Sequence, residues 1–318
     1  MTATVSPEKE GLDTTQTSSR RGDRIFAAIA RLAAFTILAA LVAVFVFLAV
    51  KGWSGLTAEP ATYAPFTSFV SYIYPLVVST LLAAGIAVIV AVPFAIGIAL
   101  FISHYAPRRL ASVLAYLIDL LAAVPSVVFG LWGGRALAGY LQPFQVWLHE
   151  HFGWLPFFGP GPPTPNGRSL FTAGIVLAIM ILPIITAITR EVFLQTPRLH
   201  EEAALALGAT RWEMIRYSVF PYARSGVVSG VMLGLGRALG ETMAVAMILA
   251  TTPEMTLNVI GTASPPTIAA NIALNFKEAT PERQSLLIAT GLVLFVVTFL
   301  VNFLARWIAG RSQRKLNA

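Results

Sequence analysis

The sequence predicts an all-α polytopic membrane protein with six transmembrane helices and both termini cytoplasmic. Three observations predict it. Of 318 residues 56% are hydrophobic and 12% charged, with a mean hydropathy of +0.74, whereas soluble domains carry roughly a quarter charged residues. Six apolar runs approach or exceed the ~20 residues that cross a bilayer. The basic residues also gather on one side of those runs. A net charge of +7 therefore sets topology rather than recruiting DNA or RNA, and no nucleic-acid partner is expected. The chain contains no cysteine, which excludes disulfides, thiolate metal sites, iron–sulfur clusters and cysteine nucleophiles.

The elements follow in chain order. Residues 1–31 are polar and rich in Ser, Thr and Glu, the composition of a disordered cytoplasmic tail. The first span, 32–50, is too long and too far from the N-terminus for a cleaved signal, so it reads as a retained anchor; with its outer loop it occupies 32–70. The second span, 76–103, carries Pro93. The third, 111–141, contains Pro125, Gly130, Gly133 and Gly134, and a bend or break is expected there. Residues 170–189, 225–250 and 286–308 supply the remaining three, and 71–309 forms the core. The basic segment 310–318 is a cytoplasmic tail resting on the inner leaflet. Residues 142–168, with Trp147, Trp154 and a Gly-Pro-rich stretch, suit a loop along the outer interface.

Six spans place both ends of the chain on one side. With the ends inside, the 22 basic residues divide into 16 inside, 4 outside and 2 within spans, Arg135 and Arg237. Positive residues favour the cytoplasmic side, which orients the whole chain.

The one sizeable inward segment, 190–224, has helical chemistry. Glu202-Ala203-Ala204 opens an Ala- and Leu-rich stretch that Gly208 interrupts, and Thr210 with Glu213 three positions later predicts a capped second helix. The spacing of Glu202, Ala203, Ala204, Gly208 and Pro221 resembles the EAA loop of ATP-binding-cassette importer permeases. Ser218 and Phe220 replace aliphatic residues before the proline. The resemblance implies a type I ABC importer permease fold, with 190–224 as a coupling loop against a separate ATPase. A plain surface helix joining two spans is the bland alternative, and the spacing favours the coupling role.

In the fifth span Gly226, Gly230 and Gly234, and then Gly236 and Gly240, recur every four residues, a pattern for close helix packing. Gly234-Leu235-Gly236 with Gly240 does not make a dinucleotide fingerprint, because the spacing is one residue too long and no strand precedes it. Arg237 lies deep in this span, where a lone cation costs roughly 2.5–3.5 kcal/mol. Glu241 is four residues on and able to offset it. A guanidinium matches the oxygens of a tetrahedral oxyanion. A neighbouring carboxylate repels sulfate but accepts a hydrogen bond from protonated phosphate. Arg237 and Glu241 are the candidate substrate pathway, with a packing salt bridge as the alternative.

The stretch 236–242, together with Val124-Pro125-Ser126 through Gly133, resembles the PstC family, permeases of the bacterial phosphate-specific importer. The likeness covers about residues 71–309. It implies a second permease subunit resembling PstA, an ATPase dimer resembling PstB that uses ATP and Mg, and an extracytoplasmic binding protein resembling PstS. It also implies location in the bacterial inner membrane and a pathway role for Arg237 and Glu241.

Asp119 and Arg135 are further pathway candidates, although capping or pairing where the third span bends at Pro125 explains them as well. His149-Glu150-His151 lacks the spacing of a zinc site. Residues 251–284 hold a run too short to cross, which dips into the membrane, forms part of the surface docking the binding protein, or is an ordinary capped loop helix. No catalytic or metal constellation and no Walker A motif is apparent, so the chain is expected to bind no cofactor of its own and to be a transport subunit rather than an enzyme. The competing readings are a sulfate or molybdate importer and an ion-coupled carrier.

Overall fold

The computed structural model describes residues 20–159, 161–249, 256–262 and 264–314. The expected tail at 1–19, the last residues of the basic tail at 315–318 and the start of the outer segment at 250–255 lie outside the described residues. Among the described residues the chain is helical, apart from connecting loops and one isolated antiparallel bridge between Pro163 and Gly261.

The described residues up to Phe47 form one unit and those from Leu48 another. Helix α1 (Arg20–Leu56) begins in the first and starts twelve residues before the predicted span, so the described end of the expected tail is helical. Its large apolar side chains from Ile25 onward are exposed, a surface suited to lipid.

Among the described residues four helices are long and apolar enough to cross a membrane, at Gly22–Leu56, Phe69–Tyr105, Leu170–Leu194 and Pro281–Trp307. A fifth crossing exists if a bent pair is one span. That pair is α3 (Arg108–Ala122) and the run Ser126–Phe152, which meet at 88°. The predicted break is therefore present. Pro125 has no N–H to donate and turns the residue before it away from helix, so it stands extended ahead of α4 (Ser126–Trp132). After a π turn at Gly133–Leu137, α5 (Ala138–Phe152) continues. The first part of 142–168, expected as a loop, is thus helix, and His149 and His151 sit in its last turn. Their Nδ1 atoms lie against the carbonyls of Phe158 and Trp147, at 2.8 and 2.9 Å.

The expected continuous fifth span is not present as such. Helix α9 (Phe220–Leu239) ends at Gly240, and a separate α10 (Met243–Ile248) follows. Glycine favours the break and side chains sustain it: Thr242 Oγ1 donates to the Gly240 carbonyl at 3.1 Å. Glycine, serine and two arginines leave α9 less apolar than the four spans above.

The core lies between α2 (Phe69–Leu100), α6 (Leu170–Leu194) and α9. Ala83, Ala87, Ala91, Ala95 and Ala99 recur every four residues along α2 and are buried, a smooth ridge that lets α6 approach. Gly174 on α6 meets Ile86, and a Cβ there would lie 2.6 Å from it. On the other side, Gly226, Gly230 and Gly234 of α9 face Val192, Ile188 and Ile185 of α6, so the first glycine row packs as expected. The second does not: nothing lies within 4 Å of a Cβ built on Gly236. The closing turns of α1 reach α12 (Pro281–Arg314), the helix that follows α11 (Ile268–Asn275), through Gly52 against Ala289 and Gly55 against Ser285.

Candidate functional site

The break after α9 places Arg237 in the last turn of one helix and Glu241 just before the next. The arginine side chain is exposed, and among the described residues no carboxylate forms an ion pair with it. Glu241 turns instead to α10, where its Oε1 accepts the Ala244 N–H at 3.1 Å. Each charge thereby complements its own helix end, a cation at a C-terminus and an anion at an N-terminus. The two residues are close in sequence and unpaired, because the helix that would have put them on one face stops between them. Gly236 and Gly240 beside them leave that side of α9 open.

Helix α10 has a tight seat. A Cβ on Gly130 of α4 would lie 2.8 Å from the Ala244 Cα, and one on Gly134 would lie 3.1 Å from the Met247 carbonyl. Gly130, within the 124–133 motif, and Gly134 just beyond it allow this approach. At the far end of α10, Arg168 Nε donates to the Ile248 carbonyl at 3.1 Å and Nη2 to the Met247 carbonyl. Arg168 is a residue the sequence did not single out. Its partners are some 80 positions away, and no spacing rule reaches that far.

Arg168 is itself held by a polar knot. Gln145 is fully buried and its Nε2 donates to Thr172 Oγ1 at 2.9 Å and to the Gly167 carbonyl at 3.1 Å. Gly167 has φ +69°, and a Cβ there would strike the Ala138 carbonyl. The loop is thereby fastened to α5, with Arg168 aimed at α10.

Of the other pathway candidates, Asp119 lies exposed on α3 and Arg135 exposed on the π turn Gly133–Leu137. No hydrogen bond or ion pair joins either to Arg237 or Glu241 among the described residues.

The loop 190–224 forms as two helical pieces about a glycine. Helix α7 (Arg198–Ala206) carries Glu202, Ala203 and Ala204, with the first two exposed. Gly208, at φ +84°, closes it: its N–H donates to Leu205 and that of Ala209 to Ala204, the paired bonds of a left-handed C-cap. Thr210 caps α8 (Arg211–Met214) in the predicted box, with Glu213 Oε2 accepting the Thr210 N–H at 2.8 Å. Those donors pull the Glu213 carboxyl below the usual carboxylate range. The second piece is not a separate short helix. It passes through a π turn at Ile215–Val219 directly into α9, with Pro221 in the first turn beyond. The proline ring cannot sit against a regular preceding turn, and the π turn removes that conflict.

Beneath the loop a cluster of Ala99, Phe193, Met214, Ile215, Val219 and Ala223 takes up Ala204. At its edge stands His104. Its Nε2 lies 3.5 Å from Glu201 Oε1 and its Nδ1 2.7 Å from Ser103 Oγ.

Residues 91–314 match the family of binding-protein-dependent transport system inner membrane components. The chain belongs to this family. It is 46% identical over 303 residues to the phosphate transport system permease protein PstC 2 of Mycobacterium tuberculosis, covering 92% of this chain and 93% of the relative. It is 39% identical over 311 residues to the PstC of Mesorhizobium japonicum, covering 93% and 92%. The fold is also similar to a chain of a bacterial alginate ABC transporter solved with its alginate pentasaccharide-bound periplasmic protein. There the TM-score is 0.57 at 17% identity, covering 91% of this chain and 98% of that one.

Proposed function

We propose that the chain is the permease subunit of an ATP-driven phosphate importer of the inner membrane, forming the pathway with a second permease. The PstC relatives are named as phosphate transport permeases. The observation in the chain that supports an anion route is Arg237, an exposed guanidinium unpaired with any carboxylate among the described residues, on the open side of α9. An arginine held away from carboxylates keeps its donors for a passing oxyanion. Glu241 is one turn further, where protonated phosphate would meet an acceptor.

The exposed α7, joined by the Gly208 turn to α8, which runs on into α9, is the lever on which a separate ATPase acts. ATP and Mg belong to that ATPase, and an extracytoplasmic phosphate-binding protein delivers the cargo. In this reading α9 and α10 together make the sixth crossing, and both termini are cytoplasmic.

The test is uptake by vesicles holding the chain with its partner subunits. Arg237→Ala is expected to abolish phosphate uptake while the complex stays assembled. Normal uptake by that variant, or sulfate carried as well as phosphate by the wild type, would sink the phosphate assignment.

A further inference from the structure

We propose that His104 is a positioning residue for energy coupling, tying the lever α7 to α2 through the Glu201 carboxylate. The inference rests on the reading of α7 as the segment that meets the ATPase. Two of the core helices, α6 and α9, are joined to the loop by the chain itself, so any displacement of α7 reaches them through covalent connections. Helix α2 has no such connection and must be moved by contact.

The apolar part of that contact is shared with the whole cluster under the loop, in which Ala99 of α2 and Ala204 of α7 both take part. Contacts of this kind are non-directional and let one surface slide over another. Helix α7 buries none of its residues, so packing alone fixes neither its rotation nor its register on α2. The polar contact does. His104 stands in the π turn Phe101–Tyr105 that ends α2, with Nε2 3.5 Å from Glu201 Oε1. Among the described residues this is the one contact within 4.0 Å between a carboxylate and a histidine, lysine or arginine nitrogen.

The imidazole is itself held from two other directions. Ser103 Oγ is 2.7 Å from Nδ1 and 3.3 Å from the Leu100 carbonyl, and its one hydrogen serves one of the two; when it goes to Nδ1, Nε2 carries the ring hydrogen and presents it to Glu201. The ring stands edge-on to Phe193 at 6.3 Å, and fully buried Phe193 stands edge-on to Phe220 at 5.7 Å. One side chain thus meets α7 through Nε2 and the end of α6 by aromatic packing, with Phe193 in turn set against Phe220 at the start of α9. Glu201 precedes the Glu-Ala-Ala triplet, which leaves Glu202 exposed on the outer side for the ATPase.

The experiment uses the full complex in vesicles and reads phosphate imported per ATP hydrolysed, with ATPase retention as a second readout. His104→Ala is expected to lower the ratio several-fold with the ATPase still bound. Glu201→Ala should do the same, and the double variant should be no worse than either alone. His104→Gln, whose amide nitrogen reaches the place of Nε2, should recover most of the ratio, which a purely space-filling role does not predict. An unchanged ratio in His104→Ala beside a coupled wild type overturns this inference and leaves the proposed function standing. So does loss of the ATPase from both His104 variants, or independent effects in the double variant. A wild-type complex that hydrolyses ATP without importing phosphate overturns the proposed function and this inference together.

Discussion

At the scale of single residues, charge at this site is governed by where helices end. Arg237 and Glu241 look like an i, i+4 pair in the sequence, yet each serves its own helix terminus once Gly240 interrupts the helix. The loop offers the same lesson in backbone terms. Gly208 holds φ +84° in open space, so the objection to any other residue is conformational, not steric crowding by neighbours. A β-branched residue in that region is strained by about 1–3 kcal/mol. Gly208→Val is therefore expected to unseat the turn between α7 and α8 and to lower ATP-driven transport, while substrate binding at the pathway is unaffected. Full transport in that variant would show that the turn does not carry force. Glu213 adds a pH dependence. Its carboxyl is held below the usual range by the Thr210 donors, so the capping box stabilises the loop above the ordinary carboxylate range. That contribution is lost as pH falls through the lowered value. Hydrogen exchange at the loop amides, corrected for the intrinsic rate, should show protection falling on acidification, and Glu213→Gln should flatten the profile.

At the scale of the element, α9 is two-sided, and its glycines tell the sides apart. A Cβ on Gly226 would lie 2.4 Å from a Val192 methyl, whereas one on Gly236 meets nothing within 4 Å. Alanine at either place gains about 1 kcal/mol of helix propensity over glycine. At Gly226 that gain is opposed by overpacking, which typically costs ~1–3 kcal/mol. Gly226→Ala should therefore lower, and Gly236→Ala preserve or raise, the thermal stability of the isolated subunit in detergent. If Gly236→Ala is stable alone yet fails in the assembled transporter, the open side of α9 is where the second permease or the cargo passes. Equal losses from both substitutions in the isolated subunit would mean that α9 packs against α6 differently.

At the scale of the whole molecule, what was legible followed from local rules. Hydropathy found the uninterrupted spans, Pro125 the break in the third, and Thr210, Glu213 and Gly208 the shape of the loop, because each acts on its immediate neighbours. The roles of His104 and Arg168 were not legible, since their partners lie far away in sequence and are brought near only by packing. The break at Gly240 fell between these cases: glycine permits a break in any helix, and the bonds from Thr242 Oγ1 to the Gly240 carbonyl and from the Ala244 N–H to Glu241 favour this one. That break leaves the sixth crossing as the main claim of topology still to be tested, and the absence of cysteine from the chain supplies the means. Leu207, at the exposed end of α7, and Glu278, exposed ahead of α12, bracket α9 and α10 in sequence. If the two helices together cross the bilayer, Leu207→Cys and Glu278→Cys lie on opposite sides. A membrane-impermeant maleimide should then label Glu278→Cys in intact cells stripped of their outer layers and Leu207→Cys only in inverted vesicles. Labelling of both from one side would make α9 and α10 a re-entrant pair, give the chain five crossings, and place its two ends across the membrane from each other.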